Sequence, residues 1–126
     1  MTKILIADDN LTTRTQTVIF FEERGFTVLA TATLEGAVKM ARAETPDVAV
    51  LDSDARSKID GLAAVKAIKQ SLPRLKVILL LDDVHHHRQG EAQRTGADVV
   101  LNKDLTTLTA LAVAVINLAG EAQARP

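Results

Sequence analysis

Pro46-Asp47-Val48-Ala49-Val50-Leu51-Asp52 is the stretch from which the rest of the chain can be read. Val48 to Leu51 is unbroken apolar sequence, and a carboxylate follows at once. A strand with one wet face alternates apolar and polar residues, whereas a strand covered on both faces is apolar throughout. The segment therefore predicts an inner strand of a parallel sheet with an acid at its carboxyl end. The same design recurs on either side. Lys3 to Ala7 is apolar after its first residue and runs into Asp8 and Asp9, and Val77 to Leu81 runs into Asp82 and Asp83. Two weaker strands complete the set: Phe26 to Ala32, which carries Thr27 and Thr31, and the short Val99 to Leu101. Their composition marks them as edges.

Helical stretches separate the strands. Asn10 to Arg24 ends at Gly25, a residue suited to helix termination. Thr33 can cap the next helix, with Glu35 in its first turn, where negative charge suits the helix dipole. That helix runs to about Glu44, because Pro46 disfavours helical geometry at Thr45. Leu62 to Leu72 stops before Pro73. Val84 to Thr95 is polar and interrupted by Gly90, with Gly96 at its end. Thr106 to Ala119 is followed by Gly120. Five strands alternating with five helices predict an α/β fold: a doubly wound, five-stranded parallel sheet with helices on both faces.

Composition narrows the function. The chain has 126 residues, 47% of them hydrophobic and 25% charged, which suits one globular domain. We expect that domain to span residues 1–120, with the polar residues 121–126 as a tail or the start of a linker. Lys and Arg number 15 against 16 Asp and Glu, so no overall basic field exists to hold nucleic acid or an anionic membrane. Only three phenylalanines supply aromatic surface, too few for base-stacking platforms. Cysteine is absent, which removes disulfides, thiol catalysis and thiolate metal sites. No segment approaches the ~18 apolar residues of a membrane span. The first nine residues reach Asp8-Asp9 too early for a signal peptide, so a cytoplasmic location is expected.

Open parallel sheets bind ligands at the carboxyl ends of their strands. There the sequence gathers Asp8 and Asp9, Asp52 and Asp54, Asp82 and Asp83, and, near the end of strand five, Lys103. Like charges ~4 Å apart repel by roughly 4 kcal/mol at an effective dielectric near 20. A hard divalent cation that keeps several waters, such as Mg2+, would offset that repulsion. A carboxylate beside it could act as a nucleophile toward phosphorus, with Lys103 neutralising a phosphoryl oxygen.

Lys3-Ile4-Leu5-Ile6-Ala7-Asp8-Asp9-Asn10, Pro46 to Asp52, Asp60-Gly61-Leu62, and Gly96-Ala97-Asp98 leading to Lys103 together resemble the receiver domain of two-component response regulators, over essentially the whole chain. The resemblance implies sheet order 2-1-3-4-5. It implies that Asp52 is the phosphoacceptor, that Asp9 binds Mg2+ directly, and that Asp8 acts through water. It places Asp54 where a backbone carbonyl meets the metal, and Lys103 where a lysine pairs with the phosphoryl group. A histidine kinase or a histidine phosphotransfer protein is the implied partner.

Four departures from the family stand out. Strand four normally ends in Ser or Thr, but the matching position is Leu81, or Asp82 if the register slips; neither carries a hydroxyl. The aromatic switch position of strand five is Val100. The loop from Ser53 to Gly61 is one residue longer than usual and lacks Met-Pro, while Lys103 precedes Asp104 rather than proline. The acidic group is intact, but the usual hydroxyl-and-ring relay is missing. A phosphorylation-independent binding module is therefore the second reading. A remoter one takes Asp52-Ser53-Asp54 as the nucleophile motif of haloacid-dehalogenase-type phosphatases, although Lys103 follows Asp82-Asp83 where that family needs it earlier.

Other segments suggest surfaces. From Leu108 to Ala119 only Thr109 and Asn117 are polar, more apolar surface than one buried face needs, so the last helix is a candidate homodimer face. Leu11 and Val18 lie seven residues apart, on one face of helix one, where this family docks its kinase. His85-His86-His87 cannot all grip one metal from a helix, since successive residues point ~100° apart.

Overall fold

The structure, a computed structural model, describes residues 2–82 and 89–124. In chain order the elements are β1 (Lys3–Ala7), α1 (Leu11–Glu22), β2 (Thr27–Thr31), α2 (Leu34–Glu44), β3 (Val48–Asp52), α3 (Gly61–Ser71), β4 (Lys76–Leu81), α4 (Gln89–Arg94), β5 (Val99–Asn102) and α5 (Leu108–Ala124). All strand pairs are parallel, and the sheet order is β2-β1-β3-β4-β5. The expected class and order are both present. Every residue of β3 is buried, whereas Thr27 at the start of edge strand β2 is exposed, as the two compositions require.

Each face of the sheet supports its own core. Leu5, Leu51 and Leu79 pack with Leu34, Val38, Val65 and Ile68 of α2 and α3. On the other face, Ile4, Ile6, Val50 and Ile78 pack with Phe21 of α1 and Leu111, Val115 and Leu118 of α5. The ring of Phe21 meets those of Phe20 and Phe26 edge-on, so all three phenylalanines fasten the end of α1 to the approach of β2.

Local chemistry sets the helix ends. Asn10, Thr33 and Asp60 each accept a backbone N–H from the residue three positions on, which caps α1, α2 and α3. Gly25 stops α1 at φ +89°, a conformation that side chains resist. Thr45 ends α2 at φ 44°, just ahead of Pro46.

One expectation needs correction. Helix five does not end at Gly120: α5 runs to Ala124, so the supposed tail begins as helix. Leu118 and Ala119 are buried up to the glycine, and beyond it Glu121 reaches 3.8 Å from Lys76, a buried lysine of β4 also paired with Asp98. Tertiary contacts on both sides outweigh a helix-weakening cost of about 1 kcal/mol. Of the expected helix from Val84 to Thr95, Gln89–Arg94 is α4; the part before it, with His85–His87, lies outside the described residues. On α1, Leu11 is 68% exposed while Val18 is half-buried, so only the former is free surface.

Gly61 positions the start of α3 over the loop that follows Asp52. A Cβ there would lie 3.0 Å from both Ser53 Cβ and Leu79 Cδ1, and 3.2 Å from Ser53 Cα. Gly61→Ala should therefore lower stability by about 1–2 kcal/mol in urea denaturation, since overpacking outweighs the gain in helix propensity.

Candidate functional site

The carboxyl ends of β1, β3, β4 and β5 converge on one charged site. Asp52, the last residue of β3, is 2% exposed. Its Oδ2 lies 2.8 Å from Lys103 Nζ, and its Oδ1 accepts the Asp54 N–H at 2.9 Å. The turn after β5 aims the lysine: its backbone N–H donates to Leu81 O at 2.7 Å, and Asn102 Oδ1 accepts the Asp104 N–H. Burial pushes the Asp52 carboxyl above its usual range, against the pull of Lys103 and the Asp54 amide, and the charge of Asp8 adds to the rise. Lys103 is also raised: its own burial works against that, but Asp52, Asp54 and Asp8 together prevail. The ion pair thus stabilises the ammonium without fully offsetting the desolvation of its carboxylate.

Asp8 is fixed more tightly than its neighbours. Its Oδ1 accepts the Asn10 N–H at 2.9 Å, its Oδ2 accepts the Thr13 hydroxyl at 2.6 Å, and its backbone oxygen accepts Arg14 Nη1 at 2.8 Å. Asp9 is exposed, and its carboxylate accepts the Arg56 N–H at 3.2 Å, across to the loop after β3. That loop is held again at Lys58, whose N–H donates to Glu35 of α2. Asp54 lies 3.7 Å from Lys103 and faces Asp82; burial first, then this second carboxyl, raises its pKa.

A cavity of about 190 Å3 opens beside the ion pair, lined by Asp8, Asp52 and Lys103, by Leu80, and by threonines including Thr13 and Thr106. A larger cleft of about 440 Å3 lies between the α2–β3 and α3–β4 turns. Its carboxylate, Asp47, already accepts the Lys3 N–H, so it gathers no comparable charge. Of the sequence-predicted residues, Asp8, Asp52 and Lys103 line the smaller cavity, Asp54 lies 3.7 Å from Lys103 with Asp82 beside it, and exposed Asp9 accepts the Arg56 amide of the loop after β3.

Strand register places the residues expected at the switch positions. Leu81 closes β4 opposite Asn102, and Asp82 follows the strand. Leu81 and Val100 are 3% and 7% exposed and belong to the same buried cluster. Both side chains are hydrocarbon.

No three carboxylate or imidazole groups among the described residues converge tightly enough to enclose an ion unaided. The donor set nevertheless fits a hard cation that retains water. Asp8, Asp52 and Asp54 act on a single ammonium, which leaves excess negative charge, and carboxylate and carbonyl oxygens are the ligands such a cation prefers.

Sequence reading missed Thr13, Arg14 and Glu35. Asn10 followed three residues later by Thr13 is a legible cap, but the return of that hydroxyl to Asp8 requires the folded turn.

A sequence profile for the response regulator receiver domain matches residues 4–115. The chain belongs to this receiver domain family. A candidate transcriptional regulator of Pseudomonas aeruginosa is 37% identical over 81 residues, 64% of this chain and 39% of that protein. A receiver domain from Clostridium thermocellum superposes with TM-score 0.90 at 24% identity, covering 98% of both chains. NtrX from Brucella abortus superposes with TM-score 0.86 at 22% identity, over 98% of this receiver and 28% of that chain. The receiver thus spans well under half the length of the Pseudomonas and Brucella relatives. Receivers are signalling modules of two-component systems rather than turnover enzymes. No helix among the described residues is long and apolar enough to cross a membrane.

Proposed function

We propose that this receiver accepts a phosphoryl group on Asp52 from the phosphohistidine of a histidine kinase or histidine phosphotransfer protein, in the cytoplasm. The observation that carries the reading is the buried Asp52 carboxylate held 2.8 Å from Lys103 at the mouth of a cavity shared with Asp8. Transfer breaks the donor's P–N bond and forms a P–O bond to Asp52. The electron pair of the broken bond stays with the imidazole, which leaves neutral because its other ring nitrogen carries a proton in the donor. Lys103 holds one carboxylate oxygen and meets the charge that gathers on phosphoryl oxygens. The Asp54 amide holds the other carboxylate oxygen and so fixes the direction of attack. Mg2+ would be held by Asp8 through water, by Asp9 and Asp52 directly, and by the Asp54 carbonyl. When bound, it supplies charge neutralisation between the carboxylates and the incoming phosphoryl group. Intact mass after exposure to a small acyl phosphate, with and without Mg2+, tests the assignment. A Mg2+-dependent gain of one phosphoryl group supports it, and no gain under any condition favours a phosphorylation-independent binding module.

Packing at Leu81 and Val100 favours a relay that does not use a β4 hydroxyl and a moving ring. Self-association through α5 is a further proposal. Val113 and Ile116 of α5 are 54% and 55% exposed, and Leu105 before the helix is 78% exposed. If α5 forms a homodimer face, Val113→Glu should convert a sedimenting dimer to a monomer; a monomer in both cases removes the idea. Direct contact with nucleic acid is not assigned to this domain, whose charges nearly balance.

A further inference from the structure

We infer that Thr13 is a positioning residue for Asp8, orienting that carboxylate toward the cavity it shares with Asp52 and Lys103; the inference rests on the metal-assisted reading above. The Thr13 hydroxyl donates to Asp8 Oδ2 at 2.6 Å, the short distance of a charge-assisted O–H···O⁻ bond. The opposite oxygen, Oδ1, takes the Asn10 N–H at 2.9 Å. The backbone is held as well: Asp8 N donates to Thr31 O at 3.1 Å, and Asp8 O accepts Arg14 Nη1 at 2.8 Å. Among the described residues, two bonds fix rotation about the Asp8 side-chain torsions, and of these the Thr13 bond alone comes from a replaceable side chain.

The location of Thr13 gives the bond its purpose. Thr13 lies in the first turn of α1, is exposed, and lines the cavity together with Asp8, Asp52 and Lys103. The cap of α1 uses the Thr13 backbone N–H donated to Asn10 Oδ1, and the hydroxyl's other acceptor, Asn10 O, lies farther off at 3.3 Å, so its short bond goes to Asp8. Each Asp8 oxygen already accepts one donor and has lone-pair capacity left for a water of a hydrated ion. Partners of this kind behind a ligand usually carry 10- to 100-fold in metal affinity.

The test is calorimetric titration of the full chain with MgCl2, comparing wild type with Thr13→Val, Thr13→Ser and Asp9→Asn. Thr13→Val, which keeps the shape and the backbone cap, should weaken Mg2+ binding about 10-fold with the circular dichroism spectrum unchanged, and Thr13→Ser should restore it to within about 2-fold. Thr13→Ala stands in if the valine variant misfolds. Wild-type affinity in Thr13→Val, alongside weakened binding in Asp9→Asn, overturns the role of Thr13 while the metal site stands. Equal weakening in the serine and valine variants overturns it as well, since the hydroxyl would not be responsible. Absence of Mg2+ binding by wild type overturns the metal reading and this inference together.

Discussion

Asp52→Asn should abolish Mg2+-dependent labelling by a small acyl phosphate and also melt at a higher temperature than wild type at neutral pH. Loss of labelling follows from loss of the nucleophilic oxygen, and the intact mass should show no phosphoryl adduct. The stability gain has a separate cause. Burial raises the Asp52 pKa above the ordinary 3.8, so between those two values the folded state binds more protons than the unfolded one. Stability due to this group therefore falls as pH rises through that window and stays lower above it. Asparagine removes the buried charge. Lys103, left without its nearest partner, is 38% exposed in its side chain and has Asp54 at 3.7 Å, so it is not stranded. A gain near 1 kcal/mol would move the midpoint of a domain this size by ~3–6 °C. The difference between variant and wild type should close as pH falls through the raised Asp52 pKa. Thermal scans at neutral and acidic pH check the sign.

Lys103→Ala should slow phosphoryl transfer to Asp52 by about 100- to 1,000-fold, the usual loss when one preorganised charge-stabilising group is removed. The reason is visible in the pair itself: Lys103 both opposes the desolvation of Asp52 and stands where phosphoryl oxygens would gather. Without it the Asp52 pKa rises further, so the onset of labelling should move to higher pH as well as fall in rate. Single-turnover labelling across pH separates the two effects: a lower plateau reports lost charge stabilisation, and a displaced onset reports lost pairing. Unchanged plateau and onset would remove Lys103 from the site.

Much of this was legible in the sequence because the informative signals are chemical and local. Val48 to Leu51 can be uniformly apolar only where a strand is covered on both sides, and β3 is indeed buried along its length. Gly25 and Thr33 end and begin helices for reasons of backbone geometry and capping, and both do so where expected. The acids at strand ends converge because parallel strands bring their carboxyl ends to one edge. What escaped depends on partners distant in sequence. Gly120 reads as a stop, yet Glu121 beyond it meets Lys76, which no local pattern reveals. Asp9 and Asp8 are neighbours in sequence, but one is fastened by Thr13 and the other reaches the Arg56 amide. Equal prominence in the sequence therefore became unequal placement in the fold. Glu35 looked like a helix-dipole residue and proves to hold the lengthened loop at Lys58 as well.

Leucine at 81 and valine at 100 are both buried in the core on one face of the sheet. On the assignment proposed above, neither side chain offers the hydroxyl or the ring that a hydroxyl-and-ring switch would move. Added phosphate would instead announce itself chiefly as about one to two units of negative charge beside Lys103. A message written in charge rather than in shape reaches only about a Debye length through solvent and grows fainter in brine. Whatever reads it must come close.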